Sequence, residues 1–526
     1  MPEAANGARR GVRRATRPAR SWRTGRRPAA GSHSNAARPE APRRSGGARA
    51  LRRGRRRTHG LPGTLGLTVL GAMLPGSGYL YAGRRAAGGL VLAAWLVLLG
   101  GVAWYFGRDV RTAIDFAFDP TRLKIAAALL ALGFLVWAFV VFTSYRLVRP
   151  AQRPRSHTVA GNVVVATLCL AAVAPATYAA RSALATAEAV ETVFDDNQSA
   201  TVPHGVTKDD PWAGTDRVNV LLLGGDGGKG RTGVRTDTVI LVSMDTHTGK
   251  TVMFSLPRNM MYAEFPEDSP LHDLYPDGYG RGSSEDPGFF MLNAIYGQVP
   301  ERHPGILGKS DNEGADAVKQ AVEGSLGIPV DYYLLVNLAG FREVVDAMGG
   351  VTVNINEPVA IEGNTDAGIP PIGYLEPGPD QHLDGYHALW FARGRYGSDD
   401  YARMERQRCM VDALVEAANP MNLLTRYLDL VKAGEDIIYT DIPLDVAPAF
   451  VDLALEVKGA KVKSVVFRSS EEFYSGDPDY DYVRETVQKA LFPPPRKPGA
   501  PKPPKTSDDT EDACAYDPEG TVTAAE

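Results

Sequence analysis

The sequence predicts an α/β (α-β-α) domain with a central mixed sheet flanked by helices, preceded by a transmembrane helical region and a disordered N-terminal tail. Three observations support this prediction. From about Val218 onward, strand-length apolar runs alternate with segments of helical spacing. Four long apolar stretches precede that part of the chain. An arginine-rich polar segment precedes those stretches, so the 526 residues divide into very unequal parts.

Residues 1–60 form a strongly basic segment with 18 arginines and only two acidic residues. The rest of the chain holds 40 basic and 59 acidic side chains, so the formal net charge of −3 conceals a cationic tail joined to an acidic body. The tail has too few apolar residues to bury a core, which predicts disorder. Next to membrane spans, its charge indicates cytoplasmic retention and contact with anionic membrane lipids. A nucleic-acid partner and a transit peptide are the less favoured interpretations.

Residues 61–182 form the predicted transmembrane region, with three or four apolar segments. A helix needs about 20 apolar residues to cross ~30 Å of hydrocarbon. Four stretches reach that length: Leu61–Ala82, Ala86–Phe106, Ile125–Tyr145 and Val159–Ala180. Prolines and glycines interrupt the first stretch, so we expect it to be re-entrant or interfacial.

The charges of the short loops predict the orientation of these segments. The loop Arg146–His157 carries four arginines and no acidic residue, which is typical of the cytoplasmic side. The stretch after the last span is acidic and fits the outer side. With the basic tail inside and the final domain outside, the number of crossings must be odd. We therefore predict a multi-pass protein of the cell membrane with three crossings, a cytoplasmic N-terminal tail and an extracytoplasmic C-terminal domain. Four crossings with a translocated tail is the alternative.

A polar juxtamembrane linker is predicted at 183–216, and a folded domain at 217–492. The predicted strands are Val218–Leu223, Thr238–Ser243, Thr251–Leu256, Tyr332–Val336, Val351–Ile355 and Val462–Phe467. The predicted helices are Ala315–Leu326, Phe341–Met348, Ala388–Arg393 and Met404–Ala417. The stretch Met261–Phe289 has the composition of a long polar insertion, and 493–526 that of a disordered proline-rich and acidic tail.

The three cysteines, Cys169, Cys409 and Cys514, have no metal-ligand spacing and predict no disulfide framework. Cys409 and Cys514 would share the exported compartment, so a disulfide between them is one option. A buried thiol at Cys409 and a free thiol in the tail is the favoured option.

Charged side chains lie at the ends of three predicted strands. Asp226 follows the first strand within Gly-Gly-Asp-Gly-Gly, Arg235 and Asp237 immediately precede the second, and Arg258 follows the third. If these strands are neighbours in one sheet, two carboxylates and two guanidiniums meet at one edge. Carboxylate oxygens are ligands that Mg²⁺ prefers, and arginine suits bidentate phosphate contacts.

A second arginine cluster lies near position 400. Arg393 and Arg395 follow a predicted helix, and Arg403 and Gln407 stand four residues apart on one helical face. Arginines converging on a metal site fit a pyrophosphate, whereas the DxxRxxRQ pattern by itself favours surface salt bridges. The glycine-rich loop is not a Walker A sequence, because no Lys-Ser or Lys-Thr pair follows it. The residues alone therefore indicate an anion site that could hold a divalent metal.

From about Val218 to Leu424 the chain resembles the LytR-CpsA-Psr family, enzymes that transfer cell-wall glycopolymers. The matching motifs are VNVLLLGGD, VRTDTVILVSMD, FSLPRN, LNAIYG, GIPVDYYLLVNLAGFREVVDAMGGVTVNI and LDGYHALWFARGRYGSDDYARMERQ. The resemblance implies a central sheet flanked by helices, with a hydrophobic tunnel for a polyprenyl chain. It also implies a polyprenyl-pyrophosphate-linked glycopolymer as donor, peptidoglycan as acceptor, and Mg²⁺ as cofactor, with Mn²⁺ as the alternative ion.

The resemblance also assigns roles to single residues. Asp226 and Asp237 match the metal-binding aspartates of the family, and Asn259 stands where the family usually has an aspartate. The matches to its pyrophosphate contacts are Arg235, Arg258, Arg393, Arg395, Arg403 and Gln407. Of all these residues, those expected to be catalytic are Arg258, Asp237 and Arg235.

The implied function is a phosphotransferase that attaches an anionic cell-wall glycopolymer to peptidoglycan and releases polyprenyl phosphate. A regulatory protein that binds polyprenyl pyrophosphate, or a pyrophosphate hydrolase on the same fold, is the alternative.

Overall fold

The computed structural model describes residues 57–58, 60–194, 199–225, 235–365, 368–418, 438–460, 462–493 and 514–517. The predicted tail at 1–60 lies almost entirely outside the described residues. The helical region that follows consists of α1 (Leu61–Met73), α2 (Ser77–Tyr81), α3 (Arg85–Gly107), α4 (Val110–Ala117), α5 (Pro120–Val148) and α6 (Arg155–Val193).

Three described helices, α3, α5 and α6, are long and apolar enough to cross a membrane, whereas α1 is apolar but shorter. The first apolar stretch is broken between α1 and α2, next to Pro75 and at Gly76. Gly76 has a φ of 103°, a left-handed conformation that favours glycine, and a side chain there would collide with the backbone of Gly88. The interruption expected from its prolines and glycines is therefore present.

The last helix of this region is longer than the apolar pattern predicts. α6 continues to Val193 and so includes residues 183–193 of the segment predicted as a linker. Ala187 and Val190 are buried on its final turns, so packing extends the helix beyond its membrane-length part.

The folded domain is built on ten described strands. They are β1 (Arg217–Gly225), β2 (Thr236–Asp245), β3 (Thr251–Ser255), β4 (Tyr332–Asn337), β5 (Val351–Ile355), β6 (Val359–Ile361), β7 (Gly373–Leu375), β8 (Gly378–Leu383), β9 (Ile438–Thr440) and β10 (Val462–Val466). Six of them form one sheet in the order β10-β3-β2-β1-β4-β9, while β5 pairs with β8 and β6 with β7. β1 is parallel to β4 and antiparallel to β2, so the predicted mixed sheet is confirmed.

Helices cover both faces of the six-stranded sheet and also pack against the two smaller sheets. They are α7 (Pro270–Leu274), α8 (Leu292–Arg302), α9 (Glu313–Leu326), α10 (Leu338–Met348), α11 (Gly385–Arg393), α12 (Asp400–Ala417), α13 (Ala447–Lys458) and α14 (Tyr480–Leu491). Leu221 and Leu223 of β1 join the large core with α8, α9 and α14, whereas Val220 packs near Leu453 of α13. Because alternate residues of a strand point to opposite faces, β1 is buried on both sides. This arrangement confirms the α-β-α architecture.

The stretch Met261–Phe289 differs from the polar insertion that its composition predicts. Phe265, Leu271 and Tyr279 are buried in the main core, and burial raises the pKa of the Tyr279 hydroxyl. The polar residues between these anchors dominate the composition, whereas the few apolar ones decide where the segment packs.

A disulfide joins Cys409 on α12 to Cys514, so the favoured interpretation of two separate thiols is wrong. Asn354 Nδ2 donates to Cys514 O at 2.9 Å, and Asn356 Nδ2 donates to Ala515 O at 3.1 Å. Residues 514–517, the described part of the tail predicted to be disordered, are thus attached to the edge of the domain beside β5.

Cys514→Ser is expected to lower the free energy of unfolding by about 2–4 kcal/mol, because the cross-link restricts the unfolded chain. The two cysteines are 105 residues apart, so the disulfide closes a long loop. Thermal unfolding of the full chain in detergent measures the effect, and a reductant should lower the melting temperature of the parent to that of the variant. Cys169→Ser, at a free cysteine, is the control. Equal melting temperatures for the parent and Cys514→Ser would contradict the prediction.

Candidate active site

The ends of three neighbouring strands meet at one edge of the sheet. Gly225, the last residue of β1, pairs with Thr236 at the start of β2. An added Cβ at Gly225 would lie 2.5 Å from Arg235 O, so this close approach requires glycine. β3 is antiparallel to β2 and runs toward the same edge. The chain that leaves β3 therefore brings Arg258 beside Asp237.

Arg258 lies between two carboxylates. Its Nη1 donates to Asp237 Oδ1 at 2.6 Å, and its Nε lies 3.5 Å from Asp400 Oδ1. Its backbone is held by α8, because Asn293 N–H donates to Arg258 O at 2.9 Å. The Arg258 side chain is 24% exposed and that of Asp237 36%, so both groups are held by the protein and still reach solvent.

The second cluster forms where α12 begins. The Asp399 side chain caps this helix by accepting from Ala402 N–H at 2.7 Å. Arg403, one turn into α12, is only 2% exposed, and its Nη2 donates to Asp400 Oδ2 at 3.0 Å. Burial lowers the pKa of Arg403, and the neighbouring Asp400 carboxylate offsets only part of that shift. Arg403 Nε has no hydrogen-bond partner among the described residues, which leaves a buried donor for an anionic ligand.

A cavity of about 420 Å³ lies between the two clusters. Asn259 and Glu362 are among the residues that line it. Arg393 and Arg395 also line the cavity, and they are less engaged than Arg258 or Arg403. The Arg393 guanidinium lies 5.7 Å from the centre of the Trp390 ring, and Arg395 Nη1 lies 4.0 Å from Asp400 Oδ1. These two arginines are the cations best placed to take up a new anion.

The structure brings together five of the eight residues selected from the sequence. Those that line the cavity are Asp237, Arg258, Arg393, Arg395 and Arg403. Arg235 is exposed outside the lining, and its Nη2 donates to Gly288 O at 3.1 Å. Gln407 lies one turn after Arg403 on α12 and is also outside the lining. Asp226 falls outside the described residues.

Two residues of this site were not selected from the sequence. Asp400 supplies the carboxylate between Arg258 and Arg403. Arg406 donates from Nε to Phe391 O at 2.8 Å and from Nη2 to Gly394 O, and so holds the segment that carries Arg393. Burial lowers the pKa of Arg406 to about 10. The spacing of the arginines on α12 was visible, but it did not show which of them faces the cavity.

The carboxylates of the cavity are compatible with a divalent cation. No cluster of three or more His, Cys, Asp or Glu side chains with metal-ligand geometry occurs in the described part of the chain. Mg²⁺ is commonly held by one or two carboxylates together with phosphate oxygens and water. Asp237 provides one such carboxylate at the cavity wall, so the donor chemistry fits.

Comparison with known proteins identifies relatives of this sequence. The LytR_cpsA_psr family model matches residues 177–491, more than half of the chain. The polyisoprenyl-teichoic acid–peptidoglycan teichoic acid transferase TagU of Enterococcus faecalis is 31% identical over 232 residues, which cover 43% of this chain and 62% of TagU. TagU of Bacillus subtilis is 26% identical over 286 residues, which cover 54% of this chain and 76% of that protein.

Among solved structures, Bacillus subtilis TagV is 24% identical with a TM-score of 0.37, covering 52% of this chain and 96% of TagV. The chain spans 62% of the length of the Enterococcus faecalis relative, slightly less than two thirds. The family match includes every described strand of the central sheet and every residue that lines the cavity. The chain belongs to the LytR_cpsA_psr family.

Proposed function

We propose that this protein is a phosphotransferase that moves an anionic glycopolymer from a polyprenyl-pyrophosphate carrier to peptidoglycan. The observation that carries the proposal is the convergence of four guanidiniums on one cavity at the sheet edge. Pyrophosphate carries more than one negative charge, so several cations are needed to bind it. The names of the TagU relatives describe a transfer of this kind.

Arginine contacts account for binding and for charge stabilisation. Arg393 and Arg395 engage the pyrophosphate oxygens first, because few groups of the protein compete for them. Arg258 exchanges part of its contact with Asp237 and Asp400 for the ligand. Phosphoryl transfer depends chiefly on positioning and on neutralising charge, and these residues supply both.

The reaction replaces one P–O bond with another. A sugar hydroxyl of peptidoglycan attacks the polymer-proximal phosphorus, the bond to the bridging oxygen breaks, and polyprenyl phosphate leaves. The hydroxyl proton passes to a carboxylate on the cavity wall, for which Asp237 is the candidate. Mg²⁺ or Mn²⁺ held by Asp237 and Asp226 would supply further positive charge to the phosphate oxygens.

We further propose that the domain lies on the outer side of the cell membrane, after three crossings. The end of the helical region where α3 and α6 begin carries Arg84, Arg85 and Arg155. The opposite end carries Asp109 and Glu191 among its charges. An excess of arginine marks the cytoplasmic end of membrane helices. The lipid-linked donor and the wall acceptor meet on the outer side.

The test uses the purified full chain with Mg²⁺, lipid-linked polymer and peptidoglycan. We expect a covalent phosphodiester between polymer and peptidoglycan, detected by mass spectrometry after digestion of the wall. Release of lipid phosphate without attachment would instead indicate a hydrolase. No turnover, with the lipid-linked polymer still bound, would indicate a binding protein.

A further inference from the structure

A second cavity, of about 600 Å³, lies in the helical region. It is formed where α2 is followed by α3 and where α5 ends. α6 begins close by and runs for 39 residues toward the folded domain, which corresponds to about 58 Å of helix. This cavity is therefore separate from the candidate active site.

Five arginines line this second cavity, and no acidic residue does. They are Arg57, Arg84, Arg146, Arg149 and Arg153. The sequence has no Asp or Glu at 57–108 or at 120–187, so this end of the helical region has no carboxylate of its own to pair with them. Across the described residues, none of the five forms a salt bridge.

The walls of the cavity are tied together by hydrogen bonds. Tyr79 on α2 and Thr143 on α5, which both line it, share a hydrogen bond of 2.5 Å between their hydroxyls. Thr58, next to Arg57, donates from its backbone N–H to Val148 O at 3.1 Å. Arg153 donates from Nε to Thr158 Oγ1 at 2.8 Å and from Nη1 to Pro150 O at 2.9 Å. The walls of the cavity are thus tied together, and the guanidinium of Arg153 is held by two hydrogen bonds.

Five like charges around one space repel one another, and a bound anion reduces that repulsion. Guanidinium groups match the geometry of phosphate oxygens, which makes a phosphoryl group the best-suited anion. The cavity also has an apolar side formed by Phe139 and Leu147, and Phe139 is 65% exposed on the surface of a membrane-length helix. A ligand with a phosphoryl head and an apolar chain would contact the arginines with its head and the apolar side with its chain.

We propose that this cavity is a binding site for a phosphoryl anion, with the head group of an anionic membrane lipid as its source. The site lies at the arginine-rich end of the helices, which the proposed orientation places on the cytoplasmic side. The ligand chemistry does not depend on the transferase reaction, so each proposal can fail without the other.

The test measures ligand binding to the full chain in detergent by native mass spectrometry. Phosphatidylglycerol, phosphatidylcholine and inorganic pyrophosphate are titrated separately, so that an anionic lipid, a zwitterionic lipid and a free phosphoryl anion are distinguished. The cavity variant is Arg84→Gln/Arg146→Gln, because both side chains are exposed and can be changed without disturbing the fold. The control is Arg85→Gln/Arg155→Gln, which removes two exposed arginines at the same end that do not line the cavity.

We expect phosphatidylglycerol to bind the parent more tightly than phosphatidylcholine. The cavity variant should weaken that binding at least about tenfold, and the control variant less than about twofold.

Pyrophosphate that binds as tightly as the lipid, with the same loss in the cavity variant, would support the phosphoryl site and identify a soluble anion as its source. Equal binding of the two lipids to the parent, or equal losses in the two variants, would overturn the proposal. An Arg149→Gln variant that binds phosphatidylglycerol and pyrophosphate as tightly as the parent would also overturn it.

Discussion

Arg258→Ala is expected to reduce the rate of polymer transfer by about two to three orders of magnitude, the usual cost of removing one preorganised charge-stabilising group. Arg258 is the guanidinium that contacts both Asp237 and Asp400 at the cavity wall. Without it, two carboxylates face the incoming pyrophosphate and repel it. The transfer assay described above measures the effect as a loss of kcat/KM, which includes both weaker binding and slower transfer.

Two variants separate a loss of function from a loss of fold. Arg258→Lys keeps the charge but cannot reach both carboxylates with a planar fork, so we expect an intermediate rate. Arg281→Ala is the matched control, because Arg281 is 42% exposed, pairs with Asp477 and does not line the cavity. An Arg258→Ala protein that transfers polymer within about threefold of the parent would remove Arg258 from the proposed mechanism.

The sheet-edge part of the site could be predicted from the sequence because short connections join its strands. β1, β2 and β3 follow one another closely in the chain, and consecutive strands are usually neighbours. Asp237 and Arg258 were therefore expected to converge, and Arg258 Nη1 lies 2.6 Å from Asp237 Oδ1. The sheet itself was predictable from apolar runs such as Val218–Leu223, since a strand buried on both faces is apolar throughout.

Contacts between distant segments could not be predicted in this way. The Cys409–Cys514 disulfide joins residues 105 positions apart, and no spacing rule specifies its partner. Asp400 could be assigned to the site only once the start of α12 was known to lie against Arg258. Arg235 was expected in the same site, but its Nη2 donates a hydrogen bond to Gly288 O instead. Gly288 belongs to the stretch Met261–Phe289, whose packing could not be predicted from its composition.

A buried ion pair between Lys319 and Asp441 was also absent from the sequence-based expectations. Lys319 Nζ lies 2.6 Å from Asp441 Oδ2, and the two side chains are 0% and 1% exposed. Lys319 also donates to Thr201 O at 3.2 Å and to Asp331 O at 2.9 Å. Asp441 Oδ1 accepts from Tyr333 N–H at 2.7 Å. One lysine thus connects the segment that enters the domain with α9, β4 and the end of β9.

Lys319→Met is expected to lower the free energy of unfolding by about 3–5 kcal/mol at neutral pH, because it leaves the Asp441 carboxylate buried without a cation. Chemical unfolding of the full chain in detergent measures this loss. Lys319→Met/Asp441→Asn is the control: it removes both charges and keeps an acceptor for Tyr333 N–H, so most of the lost stability should return. A double variant as unstable as the single one would mean that packing of the lysine stem, and not its charge, is what matters.

The pH dependence of the loss of unfolding free energy in Lys319→Met gives a second test. Burial raises the pKa of Asp441, whereas Lys319 lowers it, and burial raises the pKa of the neighbouring Asp331 to about 6. Removing the lysine therefore raises the pKa of Asp441 further in the folded state. A carboxyl group whose folded-state pKa lies above its unfolded value favours folding at low pH, and this contribution is lost as the pH rises through the folded-state value.

The deficit in unfolding free energy of Lys319→Met, relative to the parent, should accordingly be smaller at about pH 5 than at about pH 8. The reason is that the neutral acid is tolerated in the core and the carboxylate is not. A deficit of equal size at both values would contradict the role of Lys319 as the counter-charge of Asp441.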